Sequence, residues 1–243
     1  AKSPTDGYTA LFTISGFVQN LVLRTDTPYK ATDLAPVSLV ASFPIAMAAN
    51  ATLPANNLAE VVALAKRQPG GVNFSSWGNG SIGHFAGENL QMTSQVKLNH
   101  IPYKSTAQAL NDVLGGQVDA MFPSLTTALP HLRSGRLRAL AVASSQRDPL
   151  LPDVPTVAEM GFTGFSAIQW WGLCAPATTP ASVVTQLNQA LNASLANPEV
   201  RHRLHELAAE PSPMSPTQFG EFLSTEVSKW TRLVKEARLQ IEP

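Results

Sequence analysis

The sequence predicts an α/β fold laid out as two lobes, and three observations carry that prediction. Between Leu58 and Gly172, strand-like and helix-like segments alternate four or five times, enough for a self-contained parallel sheet covered by helices. Only two strands precede that stretch, and beyond it the chain reads as helix alone. Those flanks must meet to bury their own apolar faces, so the chain crosses between lobes twice, near residues 43–48 and 172–176. The expected lobes are residues 1–44 with 174–243, and residues 45–173, with a hinge and a cleft between them.

Each element has a local cause. Residues 8–14 (YTALFTI) and 37–49 (VSLVASFPIAMAA) are rich in strand formers, with Pro44 marking a break in the second. Leu58, Val61, Val62 and Ala65 recur at helical spacing until Pro69-Gly70-Gly71 stops them. Residues 72–77 form a short strand, and Ser81 is placed to cap a helix carrying Phe85, Ala86 and Leu90. A strand over residues 97–102 follows, then a helix capped by Ser105 and ended by Gly115-Gly116. Residues 118–122 and 137–143 are further strands, flanking a short helix around residues 128–134. Thr156-Val157-Ala158-Glu159 has capping-box spacing, and residues 166–175 make the last long strand. Thr179-Pro180, Asn197-Pro198 and Ser215-Pro216 each put a capping residue before a proline at a helix start. The final helix carries Phe219, Phe222, Leu223, Val227, Trp230 and Val234 on one stripe, which must dock on something apolar.

Composition removes several function classes. Across 243 residues, 17 basic side chains balance 17 acidic ones and no basic block exists, so nucleic acid is not an expected partner. No apolar run approaches the ~20 residues of a membrane helix, and no signal-peptide pattern opens the chain. The single cysteine, Cys174, lies in the apolar run WWGLCAP and reads as a buried core residue. No metal site is expected: His202 and His205 lie at i, i+3 beside Glu206 without a third ligand and fit a solvated helix face.

The segment VNFSSWGNGSIGHFAGENL contains Gly78-Asn79-Gly80-Ser81-Ile82-Gly83, which satisfies G-x-G-x-x-G. A dinucleotide site also needs a carboxylate at the end of the following strand, about 20 residues on. Here that strand runs NHIPYKST, so no dinucleotide cofactor is expected, nor any other. The backbone physics remains, because a strand entering a glycine turn and then a helix aims free N–H groups and the positive helix end at one spot. Ser81 adds a hydroxyl and His84 a donor in the first turn. A glycine turn without a ligand stays open as the plain alternative. Tyr103-Lys104-Ser105 and Phe122-Pro123-Ser124 are two more strand ends of the same sheet, where open α/β sheets bind their ligands. No G-x-S-x-G elbow or other catalytic constellation accompanies them, so a binding protein rather than an enzyme is expected. Trp170 and Trp171 point to opposite faces of a strand, one into core and the other to the cleft wall.

The motifs DGYTALF (6–12), DLAPVSLVA (33–41), GNGSIGHFAGE (78–88), HIPYKSTAQALNDVLGGQVDAMF (100–122), SGRLRALAVAS (134–144) and LPDVPTVAEMGFTGF (151–165) resemble, in order, the Bug family. These are the TctC-type substrate-binding proteins of tripartite tricarboxylate transporters, and the likeness covers nearly the whole chain. It implies a periplasmic, type II-like Venus-flytrap protein that captures a small carboxylate and delivers it to the transporter's membrane components. It also implies a ligand held largely by backbone N–H groups and water. The resemblance implies ligand-binding residues at Ser15, Gly16, Gly78, Asn79, Gly80, Ser81, His84, Tyr103, Lys104 and Ser105, to which the third strand end and the tryptophan pair add Phe122, Ser124 and Trp170. Two departures matter. Family members carry a further strand–loop–helix–strand segment before the position of Asp6, whereas this chain starts Ala1-Lys2-Ser3-Pro4. The expected first lobe therefore lacks its N-terminal strand–loop–helix segment, and its unpaired sheet would invite dimer pairing. Amino-acid-binding members often have an acidic residue after the strand at 118–122, where this chain has Pro123 and Ser124. That points to a di- or tricarboxylate without an amino group. A ligand-sensing module for a sensor kinase is the alternative from another class, and a dinucleotide-dependent enzyme a third.

Overall fold

A computed structural model describes residues 2–24 and 26–239; Ala1 and the last four residues of the expected first lobe lie outside the described residues. The chain divides into two compact units, Ala1–Phe43 with Gln169–Pro243, and Pro44–Ile168. The second crossing thus falls earlier than residues 172–176. The strand that carries it pairs along Trp171–Cys174 with a strand of the first unit, which draws those residues there.

The first unit begins with β1 (Leu11–Ile14) and α1 (Gly16–Leu23), followed by β2 (Leu34–Pro44). β3 (Ala46–Asn50) opens the second unit, so the strand expected over 37–49 breaks at Ile45, beside Pro44. The second unit continues with α2 (Leu58–Arg67), β4 (Asn73–Ser76), α3 (Ile82–Ser94), β5 (Asn99–Pro102), α4 (Thr106–Leu114), β6 (Ala120–Met121), α5 (Leu125–Arg133) and β7 (Leu137–Val142). β8 (Ile168–Pro176), α6 (Ala181–Ala196), α7 (Pro198–Glu206), β9 (Glu210–Pro211) and α8 (Pro216–Glu236) complete the first unit.

In the first unit the sheet order is β1-β8-β2-β9, with β1 antiparallel to β8 and β9 antiparallel to β2. β1 is its edge strand and leaves Leu11, Phe12 and Ile14 exposed. The apolar stripe of α8 buries Phe219, Trp230 and Leu233, while Ser215 and Gln218 form a reciprocal capping box at its start. Glu226 is buried too, and its carboxylate accepts the indole N–H of Trp230 at 3.0 Å and of Trp170 at 3.4 Å. A buried carboxylate is tolerated because those donors, with Lys229 Nζ at 3.2 Å, replace lost water. Ser38 Oγ, fully buried, accepts the Met214 N–H at 3.0 Å and so ties β2 to the segment leading into α8.

The second unit has sheet order β5-β4-β6-β3-β7. β4 runs parallel to both β5 and β6, but β3 is antiparallel to β6 and to β7. The sheet is therefore mixed rather than parallel throughout, since β3 enters directly from the other unit instead of through a crossover helix of its own. Asn57 caps α2 by accepting the Glu60 N–H at 2.9 Å, and Leu58, Val61, Val62 and Ala65 form its buried face. Arg138 on β7 braces the turn after β3 through the carbonyls of Ala51 and Ala55. Among the described residues no helix is long and apolar enough to cross a membrane.

Candidate functional site

Because β4 lies between β5 and β6 and parallel to both, the three turns at their carboxyl ends sit side by side on one edge of the sheet. Each turn leads into a helix whose N-cap is a serine: Ser81 accepts the His84 N–H, Ser105 the Gln108 N–H and Ser124 the Thr127 N–H. Three helix N-termini thus aim their partial positive charge at one edge.

The glycines of Gly78-Asn79-Gly80-Ser81-Ile82-Gly83 have separable roles. Gly78 and Gly80 take φ +119° and +80°, a region that L side chains rarely adopt. Gly83 is helical but crowded, since a Cβ there would lie 3.0 Å from the Trp77 ring and 3.4 Å from the Phe122 carbonyl oxygen. Only some amides of the turn are available. The Gly78 N–H donates to Ser76 Oγ (3.3 Å), Gly80 N–H to His84 Nδ1 (3.2 Å) and Ser81 N–H to the Gly78 carbonyl (3.2 Å). The amides of Asn79, Ile82 and Gly83 have no hydrogen-bond acceptor among the described residues. Asn79 is exposed, whereas Ile82 and Gly83 are buried.

The structure also relocates several expected site residues. His84 turns inward and is 7% exposed, stacked on His100 with ring centroids 4.3 Å apart, so it supports the turn rather than reaching outward. Burial lowers its pKa to about 4, and His100, desolvated and facing His84, falls to about 3. Phe122 is fully buried, and its ring belongs to the core. Trp170 is likewise core, 0% exposed and held edge-on to Phe219 and Phe222, because its face of β8 looks toward α8. Trp171, on the opposite face, lies partly exposed between Phe12 and Phe43. The Tyr103 hydroxyl is engaged by the Asp112 carboxylate, and burial followed by that bond pushes its pKa up to about 12. Lys104 is exposed and lines a groove of about 580 Å³ with Tyr103, Gln108, Asn111 and Asp112. Ser124 Oγ is 2.9 Å from Thr127 Oγ1. In the first unit, Ser15 is buried with its N–H donated to the Trp170 carbonyl, and Gly16 lines a mostly apolar cavity of about 620 Å³.

Ser76 and His100 were missed by sequence reasoning as parts of this edge, whereas Ile82 and Gly83 lay inside the G-x-G-x-x-G motif. Ser76 and His100 are joined only by the β4–β5 pairing, which no local pattern records. No group of three or more His, Cys, Asp or Glu that could hold a metal occurs among the described residues.

A family model described as the tripartite tricarboxylate transporter family receptor, TctC, matches residues 1–239. The chain belongs to the TctC family. Among its relatives is the protein BugT of Bordetella pertussis (strain Tohama I), 36% identical over 245 residues, covering all of this chain and 75% of BugT. Solved structures similar to this TctC chain include an R. palustris protein with adipate, at 30% identity and TM-score 0.88, covering 98% of this chain and 81% of the other. The periplasmic binding protein BugD matches at 33% identity and TM-score 0.86, covering 99% and 82%. MatC from Rhodopseudomonas palustris with bound malate matches at 31% and 0.83, covering 96% and 81%. The two-sheet α/β architecture of the TctC chain is therefore one whose near structural matches are periplasmic binding proteins.

Proposed function

We propose that this chain is a periplasmic solute receptor that captures a small di- or tricarboxylate for a tripartite tricarboxylate transporter. The observation that carries the proposal is the set of unengaged amides at Asn79, Ile82 and Gly83, at the edge where three helices begin. Such donors suit a carboxylate, which accepts several N–H bonds at once. Lys104 at the neighbouring turn adds positive charge, and the site turns Gly78–Ser81, Tyr103–Ser105 and Phe122–Ser124 contain no carboxylate of their own. The adipate and malate bound by structural neighbours are ligands of this class. Pro123 and Ser124 offer no anionic partner for an ammonium group, so aspartate and glutamate are disfavoured.

The test is a thermal-shift panel followed by calorimetry with adipate, malate, succinate, citrate, aspartate and glutamate. A ligand at a hundred times its Kd stabilises by about 2.7 kcal/mol, which raises the melting temperature of a chain this size by roughly 5–10 °C. At least one acid without an amino group should do so. A panel in which no carboxylate shifts the transition rejects carboxylate capture, and tighter binding of aspartate or glutamate rejects the specificity.

A further inference from the structure

We propose that His84 and His100 form an uncharged positioning pair that fixes which amides of the glycine turn are left without an internal acceptor. Both ends of the turn are tied to this pair. Gly80 N–H donates to His84 Nδ1 at 3.2 Å, so the proton of the neutral ring must sit on Nε2, 3.7 Å from Glu88 Oε1. The His84 ring lies nearly parallel to His100, at 16°, and His100 stacks in turn on Phe74 with centroids 4.8 Å apart. His100 Nε2 is 2.7 Å from Ser76 Oγ, the atom that accepts the Gly78 N–H. With Gly78 and Gly80 held inward at these points, the amides left over are those of Asn79, Ile82 and Gly83.

The device works only while the imidazoles are neutral. A second proton on His84 would occupy Nδ1, face the Gly80 N–H and destroy the one acceptor that amide has. A charge on either ring would also sit against the other ring in a desolvated stack. The titratable groups facing one another here are His84 and Glu88 from α3 and His100 from β5. β4 faces them with Ser76 and Phe74, which do not titrate.

The decisive measurement is made on ligand-free protein by NMR, following imidazole nitrogen shifts and the Gly80 amide from pH 7.5 downward. The expected result is a neutral His84 carrying its proton on Nε2, and a Gly80 resonance that moves together with His84 at a midpoint near pH 4. One pH unit below that midpoint roughly a tenth of the molecules should retain the bond. His84→Asn, whose side-chain oxygen can replace Nδ1 as acceptor, should keep the Gly80 shift and abolish the transition. His84→Leu should lose the shift at every pH. A His84 that titrates near its ordinary 6.5, or changes charge without moving Gly80, overturns the proposal. A second arm rests on carboxylate capture: malate and adipate affinity should fall more steeply with acid in the wild type than in His84→Asn, where the change in ligand charge is the same. Equal slopes count against the pair as a control on binding. If no acid of the carboxylate panel binds any of the proteins at pH 7, carboxylate capture fails, and the positioning role is still decided by the Gly80 resonance.

Discussion

Gly87 and Gly220 offer the same substitution in two helices with opposite expected outcomes. Replacing a helical glycine by alanine removes backbone entropy from the unfolded chain and gains about 0.5–1 kcal/mol where the methyl fits. At Gly220 in α8 it fits, since the nearest atom to the new Cβ is Pro36 Cγ at 3.4 Å. At Gly87 in α3 the new Cβ would land 2.1 Å from Phe74 Cε2 and 2.3 Å from Cζ. Restoring ordinary contact requires the ring to retreat by more than about 1 Å. Phe74 is fully buried and its ring is backed by His100, so that movement disturbs a packed core at a cost of about 2–3 kcal/mol. Gly87→Ala should therefore lose about 1–2 kcal/mol net and Gly220→Ala gain about 0.5–1, a separation of roughly 2–3 kcal/mol between chemically identical changes. Urea unfolding followed by circular dichroism reads both, with unchanged slope and shifted midpoints. If the two midpoints move in the same direction, glycine is not present at Gly87 to admit the Phe74 ring.

Two further predictions concern buried ionisable groups. Because burial lowers the His84 pKa from 6.5 to about 4, the unfolded chain binds more protons between those values; the His84 contribution to stability should be full above pH 6.5, fall through that window and level off below about 4, while the loss due to His100 continues to about pH 3. The loss due to His84 is roughly 3 kcal/mol, read from urea midpoints at a series of pH values, and His84→Asn should make the profile shallower by that part, leaving the part due to His100. Glu226→Ala should cost about 2–4 kcal/mol by taking the carboxylate from two buried indole N–H groups, whereas Glu226→Gln, which keeps an acceptor, should cost less than half as much; an equal loss in the two variants would show that the negative charge, not acceptance alone, is what the side chain supplies.

What the sequence disclosed follows the range over which each signal acts. Ser81 and Ser105 were legible as caps because capping is settled within four residues, and Asn197-Pro198 and Ser215-Pro216 start helices for the same reason. Thr179-Pro180 differs: Pro180 itself takes the N-cap place at ψ 139°, and the Thr179 hydroxyl is buried without a partner among the described residues. Thr156 and Glu159 do exchange their capping-box bonds, but no helix follows, and glycines with φ +99° and +80° stand at Gly161 and Gly164. α1 went unread because it starts at glycine, has no side-chain cap bond and buries Gln19 where an apolar residue would have revealed its face. Alternation places Trp170 and Trp171 on opposite faces of β8, but only the docking of α8 decides which face is core. His84 illustrates the same limit, since its partner His100 comes from another strand.

The unengaged amides of the glycine turn belong to the main chain, and that has an evolutionary consequence. If the capture proposed above holds, a grip composed of peptide groups tolerates exchange of the side chains that line its walls, provided the bends that aim it persist. Lineages carrying this scaffold are thus free to repaint the surrounding walls for acids of different length or branching while the anchor stays constant. Diversity of cargo then costs few mutations, and the anchor's own trace is confined to the residues that shape its bends, Gly78, Gly80 and Gly83 and the histidines behind them.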